Sequence, residues 1–196
     1  MTETISGAPE AFLESLREEL LHCGPTHHIS FAAALAERQL SRIGEYADWT
    51  PRLGQGASPR RIMEAVWKHA CGQDIAQDRL GEFKADLSEV AALVDPDRFA
   101  AFDSYRGIFL LELATRCCAH GSGIAAAMKV SRASLYMSAS SGLSEDYVSD
   151  QLLRERWNVP KVQAEARLQI ELARTLSATP HIGRDTVETL RRDFVT

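Results

Sequence analysis

The sequence predicts an all-α fold, a single-domain bundle of about seven to nine helices. Apolar residues recur at every third or fourth position along most of the chain, which is the spacing of one helix face. No segment alternates apolar and polar residues with the β-branched enrichment that is typical of a strand. The chain has 196 residues, 45% of them hydrophobic, enough for one core without disulfides or metal. We expect a flexible N-terminus at residues 1–7 and one helical domain over residues 8–196.

Proline and glycine residues place the helices of the N-terminal half. Pro9 suits the first turn of the first helix, and Gly24-Pro25 ends that helix. A second helix is predicted from Thr26 to Gly44 or Tyr46. Ser58-Pro59 provides an N-cap and a first helical residue for the third.

The C-terminal half contains one unusually apolar segment and two helices that proline delimits. Residues Tyr105 to Cys118 are apolar on nearly every side, which predicts a central, buried helix. Residues 124–141 are rich in Ala and Ser and predict a helix that allows close approach by its neighbours. Pro160 splits the stretch that follows, and Thr179-Pro180 opens the last predicted helix.

The charge balance disfavours two classes of partner. The net charge is −5 and the isoelectric point is about 5.7, so a broad basic face for nucleic acid is not expected. An anionic membrane surface is disfavoured for the same reason. No apolar run approaches the roughly 20 residues that cross a bilayer.

The expected compartment is the cytoplasm. The first residues lack the basic and apolar regions of a secretory signal. Without export, the four cysteines should be reduced thiols that serve as small buried hydrophobes.

Motifs of the common enzyme classes are missing from the sequence. It contains no phosphate-binding glycine loop, no nucleophile elbow and no His-Glu-x-x-His zinc motif. We therefore expect a non-enzymatic interaction or regulatory module without a cofactor. Its expected partner is another protein or a second copy in a two-fold dimer.

His28, Glu37 and Arg38 are the candidate residues of an alternative, a small-ligand binder or enzyme. A partly buried Glu37 is suited to act as a general base. The competing interpretation is structural, with Glu37 bonded to an arginine from another helix. A deep pocket shared by the three side chains favours the ligand site, and closed ion pairs favour the structural interpretation.

Residues 124–141 give a second alternative, a DNA-binding regulator. The Ser-Arg-Ala-Ser-Leu-Tyr run at 131–136 is similar to a helix-turn-helix, in which Arg132 and Tyr136 would face DNA. The segment lacks the usual turn glycine and has few basic residues to hold phosphates. A helix break near Lys129 would favour this alternative, and an unbroken helix would remove it.

Four potential metal ligands cluster around the first turn of the chain: His22, Cys23, His27 and His28. Zinc needs three or four such groups to converge on one point. Their spacing matches no established zinc pattern, so we expect an ordinary turn between helices and no metal.

Several groups of residues are similar to one known family. They are His28-Ile29-Ser30-Phe31, Leu35-Ala36-Glu37-Arg38, Arg61-Ile62 with Trp67, the run from Val130 to Leu135, and Glu155-Arg156-Trp157. In this order and at these spacings, from about His28 to Phe194, they resemble the YjaG-like bacterial family, domain of unknown function 416. The resemblance implies an all-helical bundle in a bacterial cytoplasm, and it implies no activity.

Overall fold

Ten α-helices form the described part of the chain, and no strand lies in it. The computed structural model describes residue 5 and residues 7–51, 54–94, 101–119, 123–140 and 149–195. Eight of these helices have seven residues or more, which confirms the predicted all-α bundle. In chain order they are α1 Pro9–Leu21, α2 Pro25–Glu37, α3 Leu40–Ile43, α4 Pro59–Ala70, α5 Gln77–Leu93, α6 Ala101–Cys117, α7 Gly123–Ser140, α8 Asp150–Glu155, α9 Pro160–Ser177 and α10 Arg184–Leu190.

Helix α2 lies at the centre of the bundle. All of its residues from His28 to Ala36 are buried, and it packs against α4, α6, α7 and α9. The alanines at positions 32–34 and 36 leave room for these four neighbours to approach its backbone. Most of the N-terminal segment 1–7, which the sequence predicts to be flexible, lies outside the described residues.

The second predicted helix ends earlier than the sequence indicates. Helix α2 stops at Glu37, and the chain continues through α3 into a 3-10 turn at Gly44–Asp48. Close packing of α3 on α6 accounts for the break. A Cβ atom added at Gly107 of α6 would lie 2.8 Å from Cγ1 of Ile43, so the two helices meet where no side chain fits. The pattern of apolar residues does not reveal such a contact.

The helix boundaries predicted at Pro160 and at Thr179-Pro180 have different outcomes in the structure. Pro160 is the first residue of α9, which confirms that it splits the stretch. The last helix begins at Arg184 and not at Thr179-Pro180, because Thr179 is still hydrogen-bonded to the last turn of α9. Its hydroxyl donates to the carbonyl of Thr175 at 2.7 Å. After α10 the chain forms one π-helical turn, Arg191–Val195.

None of the described helices combines the length and the apolar character that a membrane span requires.

Candidate functional site

Glu37 is held in a closed cluster at the end of α2. Its Oε2 accepts hydrogen bonds from Nε1 of Trp67 at 2.7 Å and from Nε of Arg191 at 2.9 Å. The Arg191 guanidinium also donates to Glu64 at 2.6 Å and lies over the Trp67 ring, 5.4 Å from its centroid. Glu37 is therefore bonded to an arginine from another helical element, as the structural interpretation predicts.

Arg38 leads into a buried polar network that joins α2, α7 and α9. Its Nη1 donates to Oε2 of Glu165 at 2.7 Å, and the Glu165 side chain is only 5% exposed. The other carboxylate oxygen accepts from the Ser134 hydroxyl at 2.7 Å and from Nε2 of Gln169 at 2.9 Å. Gln169 in turn accepts from the Ser131 hydroxyl at 2.6 Å. Three donors thus satisfy a carboxylate that would be costly to bury alone.

His28 has its own contact at the other end of α2. Its Nε2 lies 2.8 Å from the carbonyl oxygen of Leu20. Because a carbonyl only accepts, this nitrogen carries the proton, and Nδ1 is a buried acceptor that has no hydrogen-bond partner among the described residues. A Cβ added at Gly123 would lie 3.0 Å from Nδ1, so the start of α7 packs directly on the ring.

The three candidate ligand residues therefore do not form one site. His28 and Glu37 are nine positions apart on α2, which separates them by about 13 Å along the helix. His28 contacts the end of α1, Glu37 contacts α4 and the C-terminal turn, and Arg38 contacts α9. Of the three, Arg38 alone lines the cleft described below.

The His22, Cys23, His27 and His28 cluster does not converge on a point. Nε2 of His27 lies 2.8 Å from the Thr179 carbonyl oxygen, and Sγ of Cys23 lies 3.6 Å from the Glu19 carbonyl oxygen. Among the described residues, no three His, Cys, Asp or Glu side chains form a metal-binding group.

The predicted helix-turn-helix lacks its turn. Residues 124–140 lie within the single unbroken helix α7, and residue 141 is outside the described range. Tyr136 donates a hydrogen bond to Asp150, and Arg132 lies 3.9 Å from the same carboxylate. Burial, followed by the bond to Asp150, raises the pKa of Tyr136 to about 12. Because α7 has no break near Lys129, the helix-turn-helix predicted within residues 124–141 does not form, which removes the basis for the DNA-binding alternative.

A cleft that the sequence did not indicate opens between the α2–α3 junction, the start of α9 and the C-terminal turn. Its volume is about 540 Å³, and we call it the Arg38 cleft. Its charged and amide side chains are those of Arg38, Gln39, Arg42, Lys161, Glu165 and Asp193. These residues come together only in the fold. Arg38 is the one member of the group that the sequence analysis names as a candidate ligand residue.

Helix α6 is central and largely buried, as the sequence predicts, but it carries one exposed stripe that the sequence did not indicate. The stripe comprises Tyr105, Phe109, Glu112 and Arg116, at helical positions i, i+4, i+7 and i+11. Tyr105 is 40% exposed and Phe109 is 51% exposed. Glu112 accepts from Nη2 of Arg116 at 2.6 Å. We call these four residues the α6 stripe.

Comparison with known proteins gives a family and a fold. Residues 15–196 match the model of a family described as a protein of unknown function, DUF416. The crystal structure of a DUF416 family protein from Shewanella baltica OS155 is similar, with a TM-score of 0.66 and 16% sequence identity. The alignment covers 91% of this chain and 92% of that one. No curated protein matches the chain. Since the family model spans nearly the whole sequence, this chain belongs to the DUF416 family.

Proposed function

We propose that the protein is a non-enzymatic interaction module that associates with a second copy of itself through the α6 stripe. The observation that supports this proposal is the exposure of two aromatic side chains, Tyr105 and Phe109, one turn apart on a helix that is otherwise deeply packed. Contiguous apolar patches on a protein surface often mark sites of contact with another protein.

The apolar patch extends from α6 onto the end of α5. The hydroxyl of Tyr105 donates to the carbonyl oxygen of Val94 at 3.5 Å, so its ring lies beside the last residues of α5. There Leu93 is 43% exposed. Leu93, Tyr105 and Phe109 thus add exposed apolar surface at the end of α5 and along α6, and aromatic groups are enriched in the cores of interfaces.

The order of residues along the α6 stripe favours a second copy as the partner. The stripe has an aromatic end, Tyr105 and Phe109, and an ion-paired end, Glu112 and Arg116. In an antiparallel pair of α6 helices, Tyr105 of each copy lies opposite Arg116 of the other, and Phe109 lies opposite Glu112. An arginine over a tyrosine ring is a favourable cation–π contact. A two-fold axis makes the contact twice, as in most protein dimers.

We propose the bacterial cytoplasm as the place where this module acts. All four cysteines are free thiols, and Cys117 and Cys118 are buried among apolar side chains of the core. Free thiols persist in a reducing compartment. The acidic composition does not favour nucleic acid or an anionic membrane as the partner.

Light scattering after size-exclusion chromatography tests the proposal over a series of protein concentrations. We expect a monomer–dimer equilibrium with a dissociation constant inside the concentration range tested, because the α6 stripe offers only a few exposed apolar side chains. Phe109→Asp should raise that constant at least about tenfold, since it places a charge in the centre of the contact.

The matched control is Leu21→Asp, which alters an equally exposed apolar residue at the end of α1, 54% exposed. It should leave the dissociation constant unchanged. A wild-type chain that stays monomeric at all concentrations, or an equal loss in both variants, would refute the proposal.

A further inference from the structure

We infer that the Arg38 cleft binds a small organic anion, through a carboxylate or phosphate group, at a site separate from the α6 stripe. The volume of about 540 Å³ lies in the range of about 300–1,000 Å³ that is usual for small-ligand sites. The inference does not depend on self-association.

The arrangement of the α2–α3 junction places two arginines together. Arg38 and Arg42 are four positions apart, and both line the cleft. Arg38 and Gln39 keep right-handed helical backbone angles through the break between α2 and α3, so the Cα atoms of Arg38 and Arg42 stay about one turn apart. Two arginines on one cleft wall can offer N–H donors to the several oxygens of a carboxylate or phosphate.

The acidic groups of the cleft wall are already neutralised. Glu165 accepts from Arg38, Ser134 and Gln169, as described above. Asp193 accepts two hydrogen bonds from Arg192, at 2.8 and 3.5 Å. Neither carboxylate is therefore left to repel an incoming anion with its full charge.

Donors on the wall remain available. Within the described part of the chain, Arg38 uses only Nη1, for Glu165, and its side chain is 26% exposed. The Arg42 guanidinium has no ion pair there, although its side chain is partly buried. An arginine has five N–H donors, so these two residues offer several that a ligand can occupy. Since Glu165 balances the charge of Arg38, Arg42 supplies the positive charge that no described carboxylate balances.

Two further features suit an anion with a carbon body. Lys161 lies in the first turn of α9, where the helix dipole is positive and the N-cap residue, Val159, makes no side-chain hydrogen bond to the backbone. Leu168 and Phe194 give the cleft an apolar side.

Nuclear magnetic resonance titration of the full chain tests the inference with defined probes. Phenyl phosphate carries a phosphate group on an aromatic ring, and benzoate carries a carboxylate group on one. Inorganic phosphate and acetate carry the same anionic groups without the ring. At millimolar concentrations and constant ionic strength, we expect amide shifts at the α2–α3 junction and the start of α9. The tighter of the two aromatic probes identifies the anionic group that the cleft prefers.

Arg42→Gln should weaken binding of that probe about tenfold or more, because it removes a charged donor without disturbing an ion pair of the described residues. The matched control, Arg61→Gln on α4, removes an arginine outside the cleft that likewise has no ion pair among the described residues, and it should change affinity less than about twofold. Two results would overturn the inference. One is an equal loss of affinity in both variants, and the other is a folded wild-type protein whose cleft amides do not shift with any probe.

Discussion

Replacing Glu165 with alanine probes the network that joins α2, α7 and α9. The variant leaves Arg38 without its ion-pair partner and deprives the buried Ser134 hydroxyl of its acceptor. Gln169 keeps both of its bonds to Ser131, one to the carbonyl at 3.2 Å and one from the hydroxyl at 2.6 Å. Breaking a buried pair by removing one partner costs about 3–5 kcal/mol, and an unsatisfied buried hydroxyl accounts for about 1–3 kcal/mol of that. We therefore expect the free energy of unfolding to fall by about 3–5 kcal/mol.

Urea unfolding followed by far-ultraviolet circular dichroism measures this loss. All variants are compared at one low protein concentration, because association adds stability. Glu171→Ala, an exposed carboxylate on the same helix, is the control and should change stability by less than about 0.5 kcal/mol. Glu165→Gln keeps an acceptor for Ser134 and should fall between the two. If Glu165→Ala costs no more than the control, the network does not stabilise the fold as we argue.

Two further predictions concern packing and burial. Gly107→Ala should destabilise the protein by about 1–3 kcal/mol in the same assay, because the added Cβ would lie 2.8 Å from Cγ1 of Ile43. The control is Gly81→Ala in α5, where an added Cβ meets no atom within 4 Å. It should stabilise the protein by up to about 1 kcal/mol, because alanine favours a helix more than glycine does. Burial raises the pKa of Cys118 to about 12 and that of Cys117 further, so both stay protonated at pH 8. Mass spectrometry after alkylation at pH 8 should find them unmodified in the native protein and modified in urea; rapid native labelling of either would contradict their burial.

Local signals in the sequence predict where helices begin better than where they end. Pro9, Pro59 and Pro160 each occupy the first helical position, where a missing N–H costs nothing. Ser58 also caps α4, accepting from the backbone N–H of Arg61. The end of α2 depends instead on how α3 packs against α6. That contact joins residues far apart in the chain, so no local pattern encodes it.

The candidate site was less predictable because its partners are distant in sequence. The residue types of Glu37 and Arg38 indicated that each needs a partner. The partner of Glu37 is Arg191, 154 positions away, and the partner of Arg38 is Glu165, 127 positions away. Only the fold reveals these pairs. Tyr105 and Phe109 were misjudged for another reason. A segment that is apolar all round has no polar face to show which side meets solvent.

Cysteine cross-linking of the α6 stripe tests the proposed association most directly. In the antiparallel pair, residue 105 of one copy faces residue 116 of the other. Within one chain the same two residues are eleven positions apart on the helix, about 16 Å, which is too far for a disulfide. Mild oxidation of Tyr105→Cys/Arg116→Cys should therefore trap a covalent dimer with twice the 21.7 kDa mass of the chain. A product that remains at 21.7 kDa, or an equal yield of dimer from Tyr105→Cys/Arg132→Cys, would contradict the account.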